Sequence, residues 1–300
     1  MSTTLLGKPA SGGVLIQTER QHRSRASIAL HKFRKRPGAM IGAAIIVFFV
    51  LIAILAPLIA PFDPNAISRD RREPPSLQHW FGTDELGRDV LSRVIYGAQV
   101  SLRVGLIAVG IAVVAGTLLG LLAAYAGGWL DTLIMRIMDI MLAFPGILLA
   151  IAIIAILGPS LTNAMIAIGI EAIPVYTRTA RGSTLAVKEL EYVTGARASG
   201  ATGWTIAIRH ILPNITSPII VLATIGVAGA ILTASGLSYL GLGAQPPTAE
   251  WGAMLSSARS YLRESWWMAT FPGVAIMLVV LSLNLFGDGL RDVLDPRSTR

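Results

Sequence analysis

The residue types that carry out catalysis in other proteins occur in this sequence, but they are not arranged for it. No serine lies in a Gly-x-Ser-x-Gly turn, and no His-Glu-x-x-His pair is formed by the histidines, which are scattered at His22, His31, His79 and His210. Gly7 and Lys8 are followed by Pro9, so the chain lacks the glycine-rich loop that binds nucleotide phosphates. The absence of cysteine excludes thiol catalysis and Cys-type zinc sites. We therefore predict no catalytic residue, no metal site and no cofactor in this chain, with an intramembrane hydrolase as the alternative left open.

A second candidate for function is the charged, glycine-punctuated stretch 191–214, EYVTGARASGATGWTIAIRHILPN, between two long apolar segments. It is too polar to lie in lipid, so we expect it to face water and to contact another molecule. Two short helices joined at Gly200 are predicted, because glycine adopts turn conformations that other residues resist. The second helix, 203–212, would present Trp204, Ile206 and Ile208, and Pro213 would restart the chain. An ordinary loop between membrane spans is the alternative.

The composition indicates that most of the chain is dissolved in a membrane. Of its 300 residues, 53% are hydrophobic and only 14% are charged, whereas soluble domains carry roughly a quarter charged residues. The net charge is +8, but basic residues bunch in HKFRKRP just before the first apolar run. A basic flank beside a span orients it and contacts anionic lipid, so nucleic acid is not the expected partner.

The apolar runs predict an all-α polytopic protein with six transmembrane helices, since about 20 apolar residues cross a bilayer. The spans are placed at 40–60, 104–125, 135–157, 161–176, 215–237 and 268–286. Gly158, Pro159 and Ser160 divide the third from the fourth, because proline removes a backbone donor. The first run is longer than the core of a signal peptide and follows a long polar leader, so we expect an uncleaved anchor.

The distribution of Lys and Arg predicts that both termini and the stretch around Gly200 are cytoplasmic. The resulting division is a cytoplasmic leader (1–37), a first transmembrane helix (38–60), an extracytoplasmic segment (61–101), a five-helix core (102–290) with a cytoplasmic loop at 181–213, and a cytoplasmic tail (291–300). Within the outer segment, 84–97 has helical apolar spacing and predicts a short amphipathic helix. The outer stretch GLGAQPPTAEWGAML is expected to expose Trp251 and Met254 to a partner, or else to cap the bundle.

Several polar residues close to the spans are candidates for a translocation path. Glu171 is costly in a bilayer unless it faces the bundle interior or water. It either lies on the path, where it could meet a peptide ammonium, or pairs with Arg178 or Arg181 near the inner interface. Asn284 either lines the path or donates a hydrogen bond to a neighbouring helix.

Two further pairs are expected to serve the packing of the spans. Arg136 and Asp139 stand at i and i+3 and are expected to pair with each other. Gly116 and Gly120 offer a face on which a second helix can approach closely.

The spacing within 191–214 resembles the cytoplasmic "EAA" loop of ABC-importer permeases. Gly195 and Ala196 fill the small-residue pair, Gly200 follows as the glycine, and Leu212 and Pro213 close the pattern, while Thr194 replaces the usual Glu. The stretches GTDELGRDVLSRVIYGAQVSLRVG, GLGAQPPTAEWGAML and NLFGDGLRDVLDPR are similar to the C-type permeases of dipeptide, oligopeptide and glutathione importers. The likeness covers most of the chain from about residue 28 onward.

This resemblance implies a type I ABC-importer permease-like bundle in a bacterial inner membrane, with alternating access. It implies a second homologous permease, two ATP-binding subunits that hold ATP and Mg, an extracytoplasmic solute-binding protein and a peptide cargo. Contact with the ATPase would fall to Gly195, Ala196, Arg197, Gly200, Ala201, Leu212 and Pro213. Glutathione and nickel chelates stay open as cargo. The residues themselves also leave open a self-sufficient ion-coupled transporter and a non-transporting sensor or scaffold.

Overall fold

The computed structural model describes residues 33–294, and within that range every regular element is helical. The helices are α1 (Pro37–Ile59), α2 (Val90–Ala126), α3 (Gly128–Leu142), α4 (Gly146–Leu157), α5 (Leu161–Lys188), α6 (Glu191–Ala198), α7 (Gly203–Tyr239), α8 (Trp251–Ala258) and α9 (Trp267–Leu294). The predicted all-α class is confirmed for these residues. Most of the predicted leader, including His22 and His31, lies outside the described residues, as does the end of the tail.

Four helices of the described chain, α1, α2, α7 and α9, are long and apolar enough to cross a membrane. A fifth span is added if α3 and α4, which are bent by 93°, count as one. The predicted span 135–157 is therefore not one continuous helix. The bend lies at Pro145, which has no N–H to donate and precedes the first residue of α4. The break predicted between the third and fourth spans is confirmed, because α4 ends at Leu157 and α5 begins at Leu161.

Helix α2 corrects the prediction of a separate amphipathic helix at 84–97. The helix begins at Val90, where the Asp89 carboxylate accepts hydrogen bonds from the N–H and the hydroxyl of Ser92, both at 2.7 Å. It then runs without interruption to Ala126, so the predicted division at 101/102 falls inside it. Gly97 lies inside the helix, and its lack of a side chain leaves the space that Trp251 occupies.

The most extensive helix contact in the described chain joins α2 to α5. A Cβ at Gly116 would meet the Cβ of Tyr176 at 2.5 Å, and one at Gly120 would collide with the Thr177 carbonyl and lie 2.7 Å from the Cβ of Ala180. The two glycines therefore let the helix backbones approach, as small residues do between membrane helices. The predicted packing face at Gly116 and Gly120 is confirmed.

The segments that the sequence predicts to be extracytoplasmic are linked to one another at one end of the bundle. The indole nitrogen of Trp251, which is fully buried, donates to the Val94 carbonyl at 3.0 Å, and that of Trp267 donates to the Thr83 carbonyl at 3.0 Å. Met254 is also buried. The expectation that Trp251 and Met254 form an exposed patch is wrong, because both side chains fill the interior below α8.

Candidate functional site

The first half of the predicted contact loop is the short helix α6. Glu191 lies in its first turn and Arg197 in its last, which places each charge at the end of the helix dipole that favours it. The helix ends in a Schellman motif, since the Gly200 N–H donates to the Arg197 carbonyl at 3.0 Å and the Ala201 N–H donates to the Ala196 carbonyl at 3.1 Å. The predicted turn at Gly200 is therefore present.

Gly200 occupies the left-handed region of backbone conformation, with φ of +84°. A Cβ at this position would meet no atom within 4 Å. The requirement for glycine thus comes from backbone conformation and not from crowding within this chain. Gly195, in the middle of α6, also has open space around it, so its side is free for another molecule to approach.

The second half of the loop is not the separate helix predicted at 203–212. Thr202 caps its start by accepting from the Thr205 N–H at 3.3 Å. The chain then forms a π-helical stretch, Ile206–Ile211, that continues directly into the long membrane helix. Pro213 therefore lies inside a continuous α7 and does not restart the chain.

The π-helical turns explain how α7 accommodates Pro213. Proline has no N–H for the carbonyl four residues earlier and its ring crowds that carbonyl. Here the Leu212 N–H donates to the Ala207 carbonyl, five residues back. The side-chain amide of Asn214 donates to the His210 carbonyl at 2.7 Å, which satisfies an acceptor near the irregularity.

The loop is anchored by buried aliphatic side chains and carries exposed polar and aromatic ones. Val193, Ile206 and Ile211 are buried, so Ile206 is not presented at the surface as predicted. Arg197 and Pro213 are exposed, Trp204 is 76% exposed, and Ala196, Ala201 and Leu212 are half-buried. The backbone hydrogen bond brings Ala196 and Ala201 together, whereas Leu212 and Pro213 lie farther along α7 beyond the π-helical turns.

Ion pairs tie the helix that precedes the loop to α3. Arg181 donates two hydrogen bonds to the Asp131 carboxylate, at 2.6 and 2.7 Å. Arg178 donates to Asp139 at 2.6 Å. The predicted local pair of Arg136 with Asp139 is therefore wrong, because Asp139 takes Arg178 of α5 instead. These ion pairs could not be predicted from residue spacing, because they join residues far apart along the chain.

Glu171 lines a cavity of about 270 Å³ between α2, α5 and α7. The lining is mostly aliphatic, with polar groups from Glu171, Tyr176 and Thr233. The alternative expectation, that Glu171 pairs with Arg178 or Arg181, is wrong because those two side chains pair with the aspartates of α3. The side-chain amide of Asn284 donates to the Val280 carbonyl of its own helix at 2.9 Å, and Asn284 does not line this cavity.

Two families of known proteins match this chain. The profile described as "binding-protein-dependent transport system inner membrane component" matches residues 116–300. The profile described as "N-terminal TM domain of oligopeptide transport permease C" matches residues 24–75.

Known relatives are similar over nearly the whole length. The chain is 51% identical to a dipeptide transport system permease protein of Alkalihalophilus pseudofirmus, covering 90% of this chain and 89% of that protein. It is 47% identical to a probable D,D-dipeptide transport system permease protein of Escherichia coli K12, covering 94% and 95%. It is 51% identical to a glutathione transport system permease protein of Escherichia coli O6:K15:H31, covering 89% and 88%.

A solved structure shares the fold. A chain of the methionine ABC transporter MetNI in an inward-facing conformation superposes with a TM-score of 0.55 at 20% identity. The match covers 67% of this chain and 96% of that one.

Proposed function

The chain belongs to the family of binding-protein-dependent transport system inner membrane components, and from this premise we propose that it is the permease subunit of an ATP-driven importer of peptides. The observation that carries the proposal is the exposed unit of α6, Gly200 and the start of α7, built on a chain that is about half identical to dipeptide and glutathione permeases. Glutathione is itself a peptide, so both kinds of relative support the same cargo class. Nickel chelates are the remaining alternative.

The proposed topology has six spans with both termini in the cytoplasm of a bacterial cell, in the inner membrane. Helix α5 supplies the additional span, although Glu171, Arg178 and Arg181 lower its hydropathy. The excess of Lys and Arg in the segments assigned to the inside supports this orientation. In this arrangement the outer segment 61–101 and α8 lie on one side of the membrane, and the loop 181–213 lies on the other.

The proposed partners are a second, homologous permease, two ATP-binding subunits and an extracytoplasmic solute-binding protein. The sequence has no phosphate-binding loop of its own, so ATP and Mg would be bound by the ATP-binding subunits. A permease of this kind is moved between inward- and outward-open states only by a ligand or partner that binds the two states unequally. ATP binding to the partners would provide that difference through the loop.

Each predicted contact residue has a role in this proposal. Gly200 sets the turn, and the open space at Gly195 admits the partner surface. Arg197 and the half-buried Ala196 and Ala201 form the polar and close contacts beside it. Leu212 and Pro213 transmit the movement directly, because they lie in the membrane helix itself and not in a hinge.

Glu171 and Asn284 are proposed for the translocation path. Support for Glu171 is the cavity that it lines. Asn284 has less support, because its amide is already engaged by its own helix.

Reconstitution into proteoliposomes tests the proposed function. We expect ATP-dependent dipeptide uptake when this chain is combined with the second permease, the ATP-binding subunits and the binding protein, and none when any of them is omitted. Uptake by this chain alone, driven by an ion gradient, would show instead that it is a self-sufficient transporter.

A further inference from the structure

The cavity beside Glu171 places a carboxylate midway along α5, between helices of the bundle. Glu171 is the eleventh residue of α5, which puts it roughly 15 Å along the helix from Leu161 at about 1.5 Å per residue. Its side chain is half-buried. The hydroxyl groups of Tyr176 and Thr233 line the same cavity, and the other walls are largely aliphatic.

The basic residues nearest to Glu171 along the chain already form ion pairs with other carboxylates. Arg178 and Arg181 are held by Asp139 and Asp131. Arg136 is exposed and lines the separate pocket formed by those two aspartates. Between residues 33 and 294, no ion pair or hydrogen bond is made by the Glu171 carboxylate. A carboxylate in apolar surroundings is costly without a partner.

The neighbouring helices leave room for this carboxylate and for the hydroxyl group beside it. A Cβ at Gly146 would collide with the Glu171 carboxylate oxygen, so the first turn of α4 leaves room for it only because residue 146 is glycine. On the opposite wall, Gly226 similarly makes room for the Tyr176 hydroxyl, which donates to the Leu222 carbonyl at 3.4 Å. The cavity therefore has an acidic end and a hydroxyl group, and the space for each depends on a glycine of a neighbouring helix.

We propose that this cavity binds a primary ammonium group, and that in the transporter the ligand is the amino end of the peptide cargo. This assignment to cargo rests on the proposed function. A volume of about 270 Å³ lies just below the range of whole-ligand pockets, which begins at about 300 Å³, so it suits one end of a peptide and not a whole one. Glu171 supplies the charge that offsets the loss of water around the ammonium group, and the hydroxyl groups of Tyr176 and Thr233 supply further oxygen acceptors.

Thiol labelling tests the site directly, because the chain has no cysteine of its own. In the assembled transporter, Thr233→Cys is treated with an alkylammonium methanethiosulfonate and with a neutral alkyl analogue. We expect the ratio of the cationic to the neutral rate to fall about tenfold when Glu171→Gln is added, which corresponds to the lower part of the range for a hydrogen bond to a charged group. An unchanged ratio would overturn the proposal.

Thr224→Cys is the matched control, since Thr224 lies on the same helix but lines a different groove. The ratio of the cationic to the neutral labelling rate at Thr224→Cys should be the same whether residue 171 is Glu or Gln. An equal fall at Thr224→Cys would mean that the substitution acts on the whole protein, which would also contradict a local site.

Measurements of dipeptide uptake distinguish a failure of the ammonium site from a failure of the proposed function. Glu171→Gln should lower dipeptide uptake about tenfold at saturating binding protein, and Glu171→Asp, which keeps the charge, should restore most of it. Full uptake by Glu171→Gln would refute the ammonium site and leave the permease assignment intact. Failure of the wild-type transporter to take up dipeptides would refute the cargo class, while the labelling ratio would still decide whether the cavity binds an ammonium group.

Discussion

Single residues fix the geometry of the contact loop, and Gly200 is the clearest example. Its φ of +84° lies where a side chain is strained, yet its surroundings within the chain are open. A substitution at Gly200 therefore acts on the turn and on the proposed contact with the partner, and not on the packing of the membrane helices. The buried Val193, Ile206 and Ile211 hold the loop to the bundle independently of that turn.

We predict that Gly200→Asp leaves membrane insertion intact but uncouples uptake from ATP hydrolysis. Gly200→Asn introduces a side chain of nearly the same size, and Asn and Asp both tolerate the left-handed region. It should retain more uptake than Gly200→Asp, because it adds no charge where the ATP-binding subunit is proposed to dock. Uptake and ATPase activity of the reconstituted transporter are the measurements. Normal uptake by Gly200→Asp would contradict the role assigned to the loop.

Glu250 is a second residue whose environment matters, because it leads us to predict how the stability of the protein depends on pH. Its carboxylate caps α8 by accepting from the N–H groups of Gly252 and Ala253, at 3.0 and 2.9 Å. Burial raises the pKa of Glu250, and these hydrogen bonds oppose the shift without cancelling it. A carboxyl group whose pKa is higher in the folded protein binds more protons there than in the unfolded chain.

The folded protein should therefore lose stability as the pH rises from about 4.3, the ordinary pKa of Glu, through the raised pKa of Glu250. Thermal unfolding of the purified protein across this range measures the slope. Glu250→Gln should flatten the slope and lower Tm above the raised pKa, because there an amide offers one oxygen acceptor to the Gly252 and Ala253 N–H groups where the carboxylate offers two. An equally steep slope in the variant would assign the pH dependence to other groups.

Among the elements, α2 and α5 form the contact on which the cavity and the loop both depend. The two glycines of α2 face Tyr176 and Thr177 of α5, next to the Glu171 cavity. Four residues farther on, Arg181 of α5 holds Asp131 of α3. The position of α5 against α2 thus sets both the cavity wall and the start of the loop.

We predict that Gly120→Ala destabilises the protein, whereas Gly110→Ala does not. Both glycines lie in α2, but a Cβ at Gly120 would collide with backbone of α5, while one at Gly110 would meet nothing within 4 Å. Overpacking of this kind costs about 1–3 kcal/mol, and alanine at an exposed helix position gains about 0.5–1 kcal/mol over glycine. Thermal unfolding in detergent is the measurement, and equal Tm values for the two variants would contradict the close α2–α5 contact.

The elements also show where sequence reasoning succeeds and where it stops. The turn at Gly200 was predictable because it depends on a glycine and its immediate neighbours. The packing face at Gly116 and Gly120 was predictable because two glycines four residues apart mark a close helix approach even when the partner helix is not known. The path of the chain through Pro213 was not, since a π-helical turn and the Asn214 side chain compensate for the proline. The Arg178–Asp139 pair depends on how α5 packs against α3, a relation that residue spacing within one helix cannot report.

The continuity of α2 was missed for a similar reason. The sequence marks 84–97 as amphipathic, but nothing in that stretch shows that Trp251 of a distant segment will pack on Gly97 and bury one face. The membrane spans themselves follow from composition wherever the helices are apolar throughout. Helix α5 is harder to assign, because it combines an apolar first half with Glu171, Arg178 and Arg181.

At the scale of the whole molecule, the structure separates two kinds of surface at the ends of one bundle. At one end, hydrogen bonds from the buried indoles of Trp251 and Trp267 link segments that are distant along the chain. The loop around Gly200 is anchored by aliphatic side chains but presents Trp204 and Arg197 outward. Reversing a 1:99 population of two gate states requires a difference of about 5.5 kcal/mol in partner affinity. A loop continuous with α7 can pass such a bias into the membrane.

The central claim is that this loop contacts the ATP-binding subunit, and cross-linking tests it most directly. Ala198→Cys, at an exposed position in α6, is given a thiol-reactive photo-cross-linker in membranes that contain the whole transporter. We predict a cross-link to the ATP-binding subunit whose yield changes when ATP is added, and no such product from Leu77→Cys, which is 97% exposed in the outer segment. A cross-link from Ala198→Cys to the extracytoplasmic binding protein, or none to the ATP-binding subunit, would contradict the account.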